Sequence, residues 1–171
     1  MNLTRDILSR LDLDDDRGEV RIIEECLSPA GTSFDLGEYE TKASLLKALD
    51  ANLHPSPSTT SSTAQLIQKM AEAFRRDGGA LHGNGVAKRR VGIYVTDGQS
   101  DDMEETVEAA QRAKFTDDVE IISVGVGHKV NPTELRAVAS CEVDRHFYAV
   151  NHHSKAPIVA RKISKVLCLA R

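Results

Sequence analysis

The residue best placed for chemistry in this chain is Asp97. It follows the run Arg90-Val91-Gly92-Ile93-Tyr94-Val95-Thr96, whose β-branched and aromatic residues predict a strand, and it precedes Gly98. A carboxylate at the carboxyl end of a buried parallel strand stands where α/β sheets place their ligand sites. The hydroxyl-rich run Thr59-Thr60-Ser61-Ser62-Thr63 leads into a helical pattern, so its side chains can meet Asp97 on the same edge. One carboxylate with hydroxyls and water makes a hard oxygen set, suited to magnesium or calcium. Asp-Gly after a strand is also a common turn, so these features alone weigh more toward a turn than toward a metal.

Other signals fail on spacing. Asp12-Leu13-Asp14-Asp15-Asp16 opens like a calcium loop, but Arg17 stands at the glycine position and Ile23 at the closing glutamate. A solvated acidic turn is the better reading. Gly125-Val126-Gly127 follows a strand pattern, yet Val130 falls where a dinucleotide fingerprint needs its third glycine. No Gly-x-Ser-x-Gly elbow or phosphate-cradling loop is present. His152-His153 reads as a pair of surface residues rather than a metal site, and Lys88-Arg89-Arg90 as the solvated start of a strand. Cys26, Cys141 and Cys168 are odd in number and far apart, which is neither a disulfide framework nor a zinc site.

The elements that must hold Asp97 in place alternate between strand and helix patterns, which predicts an α/β domain with a mostly parallel sheet. Strands are expected at 90–96, 119–125 and 146–150, with a further one at 19–23 and a short edge strand at 32–36. Between them, Leu66, Met70 and Phe74 recur at helical spacing, as do Met103, Val107 and Ala110. Val159, Ile163 and Val166 form an apolar stripe on a last helix, and Ile7, Leu8 and Leu11 on a first. Asn131-Pro132-Thr133-Glu134 predicts a helix start: Asn as N-cap, Pro at the first helical position, Glu closing a capping box. Leu135, Val138 and Ala139 then face the core. The low-complexity stretch at 54–63 and the glycines from Gly78 to Gly85 read as loops.

The 171 residues fit one domain, residues 1–171, and at 40% hydrophobic and 28% charged they build a core rather than a disordered chain. Twenty-two basic against 26 acidic residues give a net charge of −4, and aromatics make up only 4% with no Trp. Neither a phosphate backbone nor stacked bases find a partner in that composition, so nucleic acid is not expected. No apolar run reaches the roughly 20 residues of a membrane span. Met1-Asn2-Leu3-Thr4-Arg5-Asp6 shows no basic start followed by an apolar stretch, so no signal peptide is expected.

The run Val91 to Asp102 resembles the fourth strand and following loop of a von Willebrand factor A-type domain. Val119 to Gly127 resembles its fifth strand, Asn131 to Ser140 the next helix, and His146 to Val150 the sixth strand. Thr32 to Leu36 and Thr41 to Leu46 resemble the third strand and its helix. The likeness covers nearly the whole chain and is closest in style to extracellular-matrix members, the matrilins and the A-domains of type VI collagen. It implies a three-layer, Rossmann-like fold and a metal-ion-dependent adhesion site on the upper edge of the sheet. By residue matching, the metal residues would be Thr60, with Thr59 as fallback, and Asp97. The family's Asp-x-Ser-x-Ser loop and the central first strand before it are missing from these residues. The resemblance therefore implies an N-terminally truncated domain, and Cys168 would match a flanking cysteine whose partner lies upstream.

The function this implies is adhesion to extracellular-matrix proteins such as collagen, by a binding module rather than an enzyme. Magnesium is the expected cofactor, held weakly: one carboxylate and one hydroxyl fall short of the six or more oxygens hard cations want, so a dissociation constant no better than about millimolar is expected. Self-association through an open sheet edge is a further expectation. A metal-independent scaffold is the main alternative. An intracellular hydrolase using Asp97 is a remote one, since the loops offer no second titratable group beside it. The missing signal peptide conflicts with an extracellular location, and truncation would reconcile the two.

Overall fold

The computed structural model describes residues 3–11, 41–52, 62–76 and 89–168. The strands expected at 19–23 and 32–36, the acidic run at 12–16, Cys26, Thr59, Thr60, the glycine loop and Lys88 lie outside the described residues, as does the side chain of Cys168. In chain order the elements are α1 (Leu3–Arg10), α2 (Lys42–Asn52), α3 (Thr63–Arg76), β1 (Arg90–Thr96), α4 (Met103–Phe115), β2 (Val119–Val126), α5 (Pro132–Val138), α6 (Val143–His146), β3 (Phe147–Val150), a 3-10 turn (His153–Lys155) and α7 (Ala156–Cys168).

These elements fall into two compact units. The first contains α1, α2 and α7. Leu3, Ile7, Leu8 and Leu11 are buried as the apolar stripe of α1 requires, and Val159, Ile163 and Val166 likewise on α7. Helix α1 packs against both α7 and α2. Lys42 ties α2 to the end of α1, donating to the carbonyls of Ser9 at 2.8 Å and Leu11 at 2.7 Å. Those carbonyls belong to the helix C-terminus, where a cation is favoured.

The second unit, residues 59–151, carries the sheet. Its described strands lie in the order β1-β2-β3, all parallel, with Arg90 opposite Val119 and Thr96 opposite Gly125 at the two ends of the first pairing. Ser123 to Val126 pair with Phe147 to Val150. Strand β2 lies between the others and is buried at every position except Glu120, which is why its sequence reads as a nearly continuous apolar run. Parallel neighbours need long crossovers, supplied here by α4 and by α5 with α6.

The core of this unit joins Ala64, Ile67 and Ala71 of α3, Tyr94 of β1, Ala109, Ala110 and Ala113 of α4, Val119 and Ile121 of β2, and Leu135 and Val138 of α5. This shifts two sequence expectations. Leu66, Met70 and Phe74 flank the core half-buried while the alanines beside them face it. On α4 the buried face is Thr106, Ala109, Ala110 and Ala113, and Met103 is 37% exposed. Small residues let a helix approach its neighbours closely, and Thr106 is tolerated because its Oγ1 donates to Asp102 O at 2.7 Å. Two glycines serve close approach as well. A Cβ on Gly125 would meet Leu135 Cδ1 at 2.6 Å, and one on Gly92 would run into Met70 Sδ.

Arg89 and Arg90 are not simply solvated. Arg89 holds the Glu120 carboxylate through Nε at 2.8 Å and Nη2 at 2.5 Å, and Arg90 Nη1 donates to Asp117 O at 2.7 Å. Both basic residues therefore bind the start of β2 to the start of β1. The carboxylate of Glu120 is also 2.7 Å from His146 Nε2, while His146 Nδ1 lies against the Cys141 carbonyl. Burial alone would raise the Glu120 carboxyl, but the hydrogen bonds and charges of Arg89 and His146 outweigh it and hold it below its ordinary value.

Candidate functional site

Strand β1 ends at Thr96, and the loop from Asp97 to Asp102 is fastened at three points. At its start Gly98 N donates to Thr96 Oγ1 at 3.2 Å. In the middle Ser100 donates to the Glu134 carboxylate, from its backbone N at 3.2 and 3.3 Å and from its Oγ at 2.8 Å. At the end Asp102 caps α4, its Oδ1 accepting from Glu105 N at 2.9 Å. Such a cap satisfies one of the unpaired donors at a helix start. Asp97 itself is exposed and makes no hydrogen bond or ion pair among the described residues. The loop is thus held while its carboxylate is left open to solvent.

Below the loop sits Tyr94, 7% exposed, with its hydroxyl 3.4 Å from Thr63 Oγ1. Thr63, the last residue of the hydroxyl-rich run, opens α3, and the partner its hydroxyl finds among the described residues is Tyr94 rather than Asp97. Burial is the largest effect raising the Tyr94 phenol above its ordinary value. Hydrogen bonds with Thr63 and Thr96 oppose it, and the negative charges of Glu134 and Asp97 add to it. Five of the residues around this edge, Thr63, Tyr94, Thr96, Ser100 and Glu134, are buried or half-buried, and all carry oxygen. That is the right chemistry for a hard divalent cation. Among the described residues, no three His, Cys, Asp or Glu side chains converge as a metal-ligand cluster.

Of the two metal residues expected from sequence, Asp97 is where the strand pattern put it, and Thr60 lies outside the described residues. Sequence reading missed Tyr94 and Glu134. Asn131 caps α5 as expected, with Oδ1 accepting from Thr133 N at 3.0 Å and Glu134 N at 3.4 Å. The Glu134 side chain does not return to close a capping box. It is 1% exposed and is spent on Ser100, 34 residues upstream. A glutamate three residues after an N-cap carries both meanings in sequence. Elsewhere, His152 is exposed, with its Nδ1 3.0 Å from Ser154 Oγ and accepting from Ser154 N at 3.1 Å. Cys141 is an exposed free thiol.

Solved structures share this fold. Proximal thread matrix protein 1 from the mussel byssus superposes with a TM-score of 0.80 at 17% identity, covering 97% of this chain and 41% of its own. The same protein with zinc in its MIDAS motif gives a TM-score of 0.71 at 22% identity, over 98% of this chain and 39% of its own. Manganese-loaded TRAP protein of Plasmodium vivax gives 0.66 at 16% identity, over 94% of this chain and 63% of its own. The chain therefore spans about two fifths of the length of the mussel protein. At these identities the likeness is one of fold: a parallel sheet flanked by helices, Rossmann-like in its winding. No curated protein sequence matches the chain. The family model of the von Willebrand factor type A domain, however, matches residues 2–161, nearly its whole length, and so the chain belongs to the von Willebrand factor type A domain family.

Proposed function

We propose that this chain is a protein-binding module of the adhesive kind, without a catalytic role, which engages extracellular-matrix proteins through the loop edge carrying Asp97. The observation that carries the reading is Asp97 itself: an exposed carboxylate with no hydrogen bond among the described residues, on a loop fastened at three points. Fixing a loop while leaving its carboxylate open suits a group that meets something from outside. The matrix setting is supported by the likeness to a matrix protein of the mussel byssus. A divalent cation is supported by the zinc and manganese carried by the two similar proteins. In this chain Asp97 and Thr60 would hold that cation, magnesium in the first instance, and the cation would offer a coordination position to a carboxylate of the partner. With so few ligands its affinity is expected no better than about millimolar.

The test is retention of the chain on immobilised collagen and other matrix proteins in millimolar magnesium, with and without chelator, for the native chain and Asp97→Ala. Binding lost in chelator and in the variant is the expected result. Binding indifferent to both favours a metal-independent scaffold. Self-association through the strand edge would show as a concentration-dependent increase in size, and no retention on any matrix protein would overturn the matrix reading. No described helix is long and apolar enough to cross a membrane.

A further inference from the structure

We propose that Glu134 is a positioning residue for Asp97, its buried carboxylate clasping Ser100 and adding a second negative charge beneath the loop edge; this rests on the reading of Asp97 as the cation-binding carboxylate. Glu134 is 1% exposed, yet no cation pairs with it among the described residues. A buried carboxylate is costly unless hydrogen-bonded, and the donors given to Glu134 are those of Ser100, through both backbone and side chain. If Glu134 served only to start α5, it would reach back to the Asn131 backbone. It reaches instead across to the loop that follows β1. That clasp fixes the chain three residues beyond Asp97, between the Thr96–Gly98 bond on one side and the Asp102 cap on the other.

The charge matters as well as the tether. Tyr94, buried in the floor of this edge, lies in the negative field of both Glu134 and Asp97. Glu134 has no counter-ion among the described residues, and its clasp on Ser100 places its carboxylate against the loop that carries Asp97. Carboxylates that hold metal ligands in place without touching the metal commonly change its affinity 10–100-fold when altered. Glutamine at 134 keeps an oxygen to accept from Ser100 but removes the charge. Alanine at 100 keeps the charge but removes the hydroxyl half of the clasp.

The experiment is a manganese titration of the whole chain, followed by paramagnetic broadening of the Gly98 and Ser100 amides in NMR. It compares the native chain, Asp97→Ala, Glu134→Gln, Ser100→Ala and Glu108→Gln, the last an exposed charge change on α4. Apo melting curves are recorded alongside. The expected result is that Asp97→Ala abolishes localised broadening, that Glu134→Gln and Ser100→Ala each raise the midpoint about tenfold, and that Glu108→Gln leaves it unchanged. If Asp97→Ala abolishes binding while Glu134→Gln and Ser100→Ala match Glu108→Gln, the proposal is overturned and the reading of Asp97 stands. If broadening persists in Asp97→Ala, the reading of Asp97 falls and the proposal with it. Should Glu134→Gln fail to fold, Ser100→Ala, on the loop, decides alone.

Discussion

Gly125 lies near the end of β2, against Leu135 of α5, and replacing it with alanine tests whether that closeness is required. The added Cβ would stand 2.6 Å from Leu135 Cδ1 and 3.2 Å from each Val130 methyl. Ordinary carbon contacts run at about 3.5–4.0 Å, so Leu135 must retreat by about 1 Å. Leu135 is 1% exposed and belongs to the core cluster, so it has little room to move. Overpacking of this size costs about 1–3 kcal/mol. Against it stands the lower entropy of the unfolded alanine chain, worth about 0.4–1 kcal/mol where the backbone permits. The net loss is therefore expected at roughly 0–2.6 kcal/mol. Because the two terms are close, a double-mutant cycle with Leu135→Ala is the sharper assay. That truncation alone costs about 2–5 kcal/mol, but it removes the clashing methyl. Gly125→Ala should then become neutral or stabilising in the Leu135→Ala background, while remaining destabilising in the native one. Urea unfolding of the four proteins gives the coupling directly. Additivity within about 0.5 kcal/mol would refute the claim that Leu135 is what forbids a side chain at 125.

At the opposite end of β2, Glu120 is held below its ordinary value of 4.5 by Arg89 and His146, whose hydrogen bonds outweigh the effect of burial. A depressed carboxyl stabilises the fold above its unfolded value, and that contribution is lost as pH falls through the folded one. Glu120→Gln should therefore flatten the acid side of the stability curve below about pH 4.5, measured by urea unfolding at a series of pH values; an unchanged acid slope would count against the network. Asn131→Ala removes the oxygen that caps α5 and should cost about 0.5–2 kcal/mol. Because α5 carries Glu134, the same variant should also weaken manganese broadening at Gly98. A loss of stability with unaltered manganese binding would separate the cap from the clasp.

Much of the sheet was legible in sequence because its described strands are short, β-branched and buried. The pattern placed β1 at 90–96 as found, and β2 within one residue of its observed end. Asp97 was legible for the same reason, since a strand that ends at Thr96 leaves the next carboxylate on the carboxyl edge. The Asn131 cap was also local, needing only the residues that follow it. The meaning of Glu134 was not: its partner lies 34 residues away, and no local spacing distinguishes a capping glutamate from one that reaches across the fold. Tyr94 was hidden as one more strand residue until Thr63 was brought within 3.4 Å of its hydroxyl. The true inner faces of α3 and α4, built from Ala64, Ala71, Ala109, Ala110 and Ala113, were obscured because alanine adds little to an apolar pattern. What sequence determined was where each segment runs and which residues it offers. Only tertiary structure decided which of those offers meet, because a hydrogen bond depends on distance in space, and the chain closes that distance only once its strands and helices have packed.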